Sequence, residues 1–204
     1  MWFSVAHEDS SKDVSPQKRG KVVIISGPSG VGKGTLVKRL ISESSFPLVL
    51  SVSATTRPPR PGEVNGRDYW FISRDEFLEK RANGEFLESF EVYEGGALYG
   101  TLRETVETQI RQGKWVLLEI DVKGALCVMK ELPESLSVFI LPPSLEALKE
   151  RLLNRGTEKG EDLSRRLAQA EKEISFNKFY KERIVNDNLD KAFEELVKVL
   201  ASYN

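Results

Sequence analysis

Residues 21–35 read KVVIISGPSGVGKGT, and their types describe a device for holding phosphate. Gly27, Gly30 and Gly32 let the backbone curl until successive N–H groups point inward at an anion. Lys33 supplies a mobile point charge for the outer phosphates of a nucleotide. A β-branched run from Val22 to Ile25 precedes the turn, and Leu36, Val37, Leu40 and Ile41 follow it at helical spacing. The order is strand, phosphate loop, helix, and the helix adds its positive N-terminal end. The loop departs from G-x-x-x-x-G-K-[ST] at one position. Gly34 stands where a hydroxyl ligates Mg²⁺, and the hydroxyl comes one residue later at Thr35. Mg²⁺ is therefore expected to be held mainly by nucleotide phosphates and water.

Four further groups of residues have types suited to the same chemistry. Arg57 and Arg60 lie in TTRPPRPGE, where prolines hold the chain near polyproline II. Residues three apart on that helix share an edge, roughly 9 Å apart along the backbone, so two guanidinium arms can converge on one phosphate. Glu88 sits in the strand pattern FLES. Its carboxylate offers two acceptors, which match the adjacent ring N–H and amino donors of guanine and not the edge of adenine; an exposed strand glutamate is the plainer alternative. Asp121 ends the apolar run WVLLEI, placed to orient substrate or the water on Mg²⁺, to cap the helix that follows, or both. Glu119 alternates with it and is expected on the same side. Arg151 and Arg155, four apart on one helix face, stand across a polar loop from Arg165 and Arg166. They suit the charge that spreads over a transferring phosphoryl group, and equally suit surface pairing with Glu146, Glu150 or Glu158.

The elements that must position these residues alternate. Strands are expected near residues 21, 48 (LVLSVS, 48–53), 114, 136 and 183, separated mostly by helices. This predicts an α/β fold with a parallel sheet covered on both faces. The core is expected over 20–53 and 102–204. Residues 54–101 interrupt the alternation and read as an inserted lobe, with a capped helix from Ser73, a strand over 85–93 and a loop over 94–100. A short lid is expected at about 150–166, and a helix over 163–181. Residues 1–19 are polar, lack periodicity and read as a flexible leader.

Bulk properties narrow the field. At 204 residues the chain makes one compact unit. Lys and Arg number 30 against 31 Asp and Glu, with no basic stripe, which argues against a nucleic-acid polymer as partner. No apolar run approaches membrane-spanning length. One cysteine and one histidine exclude a disulfide within the chain and argue against a zinc site, which suits a reducing, cytoplasmic setting. Cys127 falls in a helical pattern and reads as a small core residue.

Taken in order, IISGPSGVGKGT, SVSATTRPPRPGEVNGRDYWF, EFLE, LYGT, LEIDVKG, RLLNRGTE and IVNDNLDKA resemble the guanylate kinase family, from about residue 21 to the C-terminus. That resemblance implies a P-loop nucleoside monophosphate kinase moving the γ-phosphoryl of ATP onto GMP in guanine nucleotide supply. ATP, Mg²⁺ and GMP are its implied small molecules, with tolerance of dGMP left open. Ser53, Glu88, Thr101 and Asp121 would contact guanine or its surroundings, and the inserted segment would be a GMP-binding lobe. Arg57, Arg60, Tyr69 and Tyr99 would hold the GMP phosphate. Lys33 and the backbone through Gly27, Pro28, Ser29, Gly30, Val31, Gly32, Gly34 and Thr35 would hold the ATP phosphates. Arg151, Arg155 and Arg166 would close over the transfer site, and Asn186 would lie near adenine. The loop EVYEGGALYG is longer than is usual, with Leu98 where an aromatic is common.

Three rivals are weaker. Asp121-Val122-Lys123-Gly124 matches the D-x-x-G of GTPases, but Asn177-Lys178 is followed by Phe179 and Tyr180 rather than completing N-K-x-D. The spelling GKGT suits kinases of AMP or UMP, whereas the Arg-Pro-Pro-Arg block and Glu88 favour guanine. A peptide-binding scaffold would have lost phosphate-loop or arginine residues, and Lys33, Arg57 and Arg60 are all present.

Overall fold

The computed structural model describes residues 19–91, 96–154 and 161–203, so nearly all of the expected leader lies outside the described residues. The chain opens with β1 (Lys21–Ser26), α1 (Lys33–Glu43) and β2 (Leu48–Leu50). An inserted run follows: β3 (Ala54–Thr55), β4 (Trp70–Phe71), α2 (Arg74–Ala82), β5 (Phe86–Glu91) and β6 (Leu98–Leu102). Alternation then resumes through α3 (Arg103–Arg111), β7 (Trp115–Glu119), α4 (Val122–Glu131), β8 (Leu136–Leu141), α5 (Leu145–Asn154), α6 (Glu161–Ser175), β9 (Glu182–Val185) and α7 (Leu189–Ser202).

The first sheet is parallel, in the order β2-β7-β1-β8-β9. Its central strand β1 explains why both faces are covered. Val23 and Ile25 point into a cluster with Leu36, Val37, Leu40, Leu148, Leu196 and Leu200, from α1, α5 and α7. Val22 and Ile24 point the other way, toward Val106, Val122, Ala125 and Val128 of α3 and α4. Period-two alternation along one apolar strand thus feeds two layers. Each fully buried Val or Ile contributes about 1.5–3 kcal/mol of transfer free energy.

The inserted run forms a second sheet, ordered β4-β3-β6-β5, with its own small core of Ala54, Phe77, Phe86 and Leu98. Phe77 and Phe86 stack at 4.4 Å between centroids. Ser73 caps α2 by accepting from the Glu76 N–H at 3.1 Å, as its sequence predicts.

Four local expectations need correction. The strand over 48–53 stops at Leu50, because the chain leaves the first sheet there and pairs again as β3 in the second. The loop over 94–100 becomes strand from Leu98 onward. Leu98 is buried in the lobe core, and Gly100 permits the close approach of Phe86, whose Cδ1 would lie 2.8 Å from a Cβ there. The helix over 163–181 ends at Ser175 and passes into a 3-10 turn over Phe176–Phe179. Cys127 is exposed, because α4 buries Val122, Gly124, Ala125 and Val128 and turns residue 127 away.

Candidate active site

The phosphate loop lies beyond the carboxyl end of β1, where ligands bind in open parallel sheets. Gly32 occupies the left-handed region at φ 102, and a Cβ there would lie 2.5 Å from Asn186 Nδ2. No side chain caps α1, and its first turn holds no acid, so its leading N–H groups suit an anion. Lys33 Nζ folds back to donate to the carbonyls of Gly27 at 2.6 Å and Pro28 at 3.0 Å.

Two residues brace the loop from the β9 side. Asn186 is buried, and its Nδ2 donates to Val31 O at 2.8 Å. Arg151 Nη2 donates to Asn186 O at 2.8 Å. Asn186 therefore has a structural part in the loop that sequence reading did not assign. Arg151 is turned to this brace rather than to Glu146 or Glu150. Arg166 is exposed on α6, and Arg155 lies outside the described residues, as does most of the expected lid loop.

On the insert, Glu88 of β5 is 5% exposed. Thr101 of β6 donates its hydroxyl to Glu88 Oε1 at 2.6 Å, across paired strands. Glu88 Oε2 has no hydrogen-bond partner among the described residues. Burial raises the Glu88 carboxyl to about 7, against the lowering pull of Thr101 and with a smaller push from the Asp121 charge. Asp121 caps α4, accepting from the Gly124 N–H at 2.7 Å, so capping and a place beside Glu88 hold together.

Arg57, Tyr69 and Tyr99 come together on the insert. The Arg57 guanidinium lies 5.5 Å from the Tyr69 ring centroid, and Tyr99 is within its electrostatic reach. The two tyrosine rings meet edge-on at 5.9 Å. Burial raises the Tyr69 hydroxyl, and Tyr99 adds to the shift. Arg60 is exposed, and Ser53 stands between the sheets with its carbonyl accepting from Trp70 N–H at 2.9 Å.

Sequence reading missed or misplaced three acids. Glu63 grips Arg57 with both oxygens at 2.9 Å; its place after a Pro-Gly turn was the available signal. Glu119 does not share the surroundings of Asp121. It faces Gly34, its Oε1 lying 3.3 Å from where a Cβ would sit. Loss of hydration raises its carboxyl, while Lys33 and Lys38 pull it down. Glu173 of α6 is half-buried and raised chiefly by burial, within electrostatic reach of both Lys33 and Asp121. A helix with this periodicity gives no hint that one of its acids turns inward.

The guanylate kinase family model matches residues 19–203. The chain belongs to the guanylate kinase family. It is 46% identical over 183 residues to a guanylate kinase of Rhodopirellula baltica, covering 89% of this chain and 87% of that one. A guanylate kinase of Nostoc sp. is 50% identical over 177 residues, covering 87% of each. The crystal structure of guanylate kinase from Anaplasma phagocytophilum superposes with a TM-score of 0.72 at 35% identity, over 91% of this chain and 87% of that one. Among the described residues no helix is long and apolar enough to cross a membrane.

Proposed function

We propose that GMP binds between the insert and the parallel sheet, with guanine on Glu88 and its phosphate on the Arg57–Tyr69–Tyr99 cluster. Membership of the family makes the chain an ATP:GMP phosphotransferase, yielding ADP and GDP. The observation that carries the placement is the buried Glu88 carboxylate, one oxygen held by Thr101 and the other without a partner among the described residues. Guanine offers that carboxylate two adjacent donors. Adenine leaves it unpaired in a desolvated place, which supports discrimination of roughly 10⁴ or more.

The donor ATP takes the phosphate loop, its outer phosphates drawing Lys33 from the Gly27 and Pro28 carbonyls. Asn186 and Arg151 keep that loop in shape, and Asn186 stands on the adenine side. The acceptor is already an anionic oxygen, so transfer is direct and in line, with no covalent enzyme intermediate and no strong general base. Lys33, Arg151, Arg155 and Arg166 offset the repulsion between the two polyanions. Ser53, Arg60 and Thr101 complete the acceptor side.

The residues near the loop fit Mg²⁺ held largely by phosphates and water. Glu119 supplies one carboxylate opposite Gly34, and Thr35 the nearest hydroxyl in sequence. The ion would supply positive charge to offset that of the phosphates during transfer. Residues 54–101 serve as the acceptor lobe and about 150–166 as the lid, both moving inward when the nucleotides bind. The compartment we propose is the cytoplasm.

An acceptor profile tests the reading. With MgATP, ADP should form rapidly with GMP and at least about a thousandfold more slowly, by kcat/KM, with AMP or UMP. Equal rates with AMP would remove Glu88 from the base site.

A further inference from the structure

Arg60, Pro61, Gly62 and Glu63 form a tight turn, closed by the Glu63 N–H donating to Arg60 O at 3.0 Å. Proline at its second position and Gly62 at φ 87 in its third give the type II form. The turn swings the Glu63 side chain back over the segment it came from. Its Oε2 accepts from Arg57 Nη1 at 2.9 Å and from the Arg60 backbone N–H at 2.7 Å, while Oε1 accepts from Arg57 Nη2 at 2.9 Å. Both side chains are largely buried, at 15% and 20% exposed.

We infer that Glu63 is a positioning residue for the GMP phosphate, one carboxylate fixing the Arg57 guanidinium and the Arg60 backbone together. The inference rests on the GMP-kinase reading of the site. An arginine has five N–H donors in a planar fork. Glu63 takes one from each terminal nitrogen, and the other Nη1 hydrogen goes to Pro58 O at 2.8 Å. The remaining pair, Nε–H and the second Nη2 hydrogen, lies on the adjacent edge of the fork. That edge can meet a phosphate without displacing Glu63. The ring of Tyr69 and that of Phe71, 5.8 Å from the guanidinium, hold its plane. Rotamer freedom that Arg57 would otherwise lose on binding GMP is already lost in the free protein. The Arg57 charge also depresses the Glu63 carboxyl, keeping it ionised for this task at neutral pH.

Glu63→Gln tests the inference, because the amide keeps size and one acceptor and loses the charge and the second acceptor. KM for GMP should rise roughly ten- to a hundredfold, while kcat and KM for ATP change less than about threefold. In an Arg57→Lys background the same substitution should change KM for GMP less than about threefold, since an ammonium offers no planar fork for the two carboxylate oxygens to grip. A lowered KM for GMP in Glu63→Gln would mean that the carboxylate competes with phosphate, and an unchanged one that it does neither; either overturns the inference. Equal effects in both backgrounds would overturn it too. If Glu63→Gln melts well below the parent, Glu63→Asp takes its place under the same criteria. A parent protein that makes no ADP with GMP overturns the kinase reading instead.

Discussion

Thr101 donates its hydroxyl to Glu88 Oε1 at 2.6 Å, while the buried Oε2 has no hydrogen-bond partner among the described residues. The carboxyl is consequently pushed up to about 7, so the free protein carries it partly protonated at neutral pH. Guanine binds the ionised form, with two donors. GMP binding should therefore release a fraction of a proton near pH 6–7, and KM for GMP should fall as pH rises from 6 to 8. Calorimetry in buffers of different ionisation enthalpy reads the proton. Glu88→Gln should remove the release, and a release that survives in it would assign the proton elsewhere.

The same shift sets a stability term of definite sign. Between the ordinary carboxylate range and about 7 the folded chain keeps a proton that the unfolded chain gives up. Stability from Glu88 therefore falls as pH rises through that window, by up to about 3 kcal/mol. Glu63, held low by Arg57 and Arg60, acts in the opposite sense and at lower pH. The difference in unfolding free energy between parent and Glu88→Gln cancels such other groups. Measured by denaturant titration, the parent should lose ground to the variant from pH 4.5 to 7. A flat difference would show that Glu88 is not desolvated.

The parts of this fold written in local pattern were legible. Val22–Ile25, Trp115–Leu118 and Leu136–Leu141 are apolar strands bounded by clear breakers, and the loop from Gly27 to Thr35 follows from glycine and lysine spacing. Leu98–Leu102 was not legible, because its strand character comes from pairing with β5 and from a lobe core contributed by Ala54, Phe77 and Phe86 far along the chain. Asn186 illustrates the same limit. Its hold on Val31, 155 residues away, is a tertiary fact with no local trace. Glu119 and Asp121 share a strand parity and still part company, since Asp121 has already left β7 to cap α4.

Gly124 lies where α4 begins, and a Cβ there would come 3.0 Å from Glu88 Oε2 and 3.3 Å from Asp121 Oδ1. Alanine in a helix ordinarily gains about 0.5–1 kcal/mol over glycine. Gly124→Ala should therefore leave thermal stability level or slightly raised, while it crowds the oxygen reserved for guanine. KM for GMP should rise about tenfold, with KM for ATP unmoved. Paired melting and kinetic measurements check the split, and an unaltered KM for GMP would show that Oε2 faces away from the base.

Lys33 rests on the carbonyls of its own loop, 2.6 Å and 3.0 Å from Nζ, so the charge is stored where the donor phosphates will arrive. Lys33→Ala removes a cation that interacts more strongly as charge moves between phosphates. The expected loss is about 3 kcal/mol of barrier, on the order of 10² in kcat. Single-turnover ADP formation reads it without interference from product release. Near-normal turnover would contradict the placement of ATP on this loop.

Gly34 leaves the carboxylate of Glu119 as the nearest acid to the position that usually carries the metal-binding hydroxyl, with Oε1 3.3 Å from where a Cβ would sit. A serine there needs that flexible carboxylate to yield only a few tenths of an ångström, and it restores a ligand for Mg²⁺. Gly34→Ser should lower the Mg²⁺ concentration that half-saturates ADP formation at fixed ATP, and Glu119→Gln should raise it. The two effects should not add in the double variant, because both residues address the same ion. A Mg²⁺ requirement unchanged by either substitution would leave the ion held by the nucleotides alone and remove Glu119 from its surroundings.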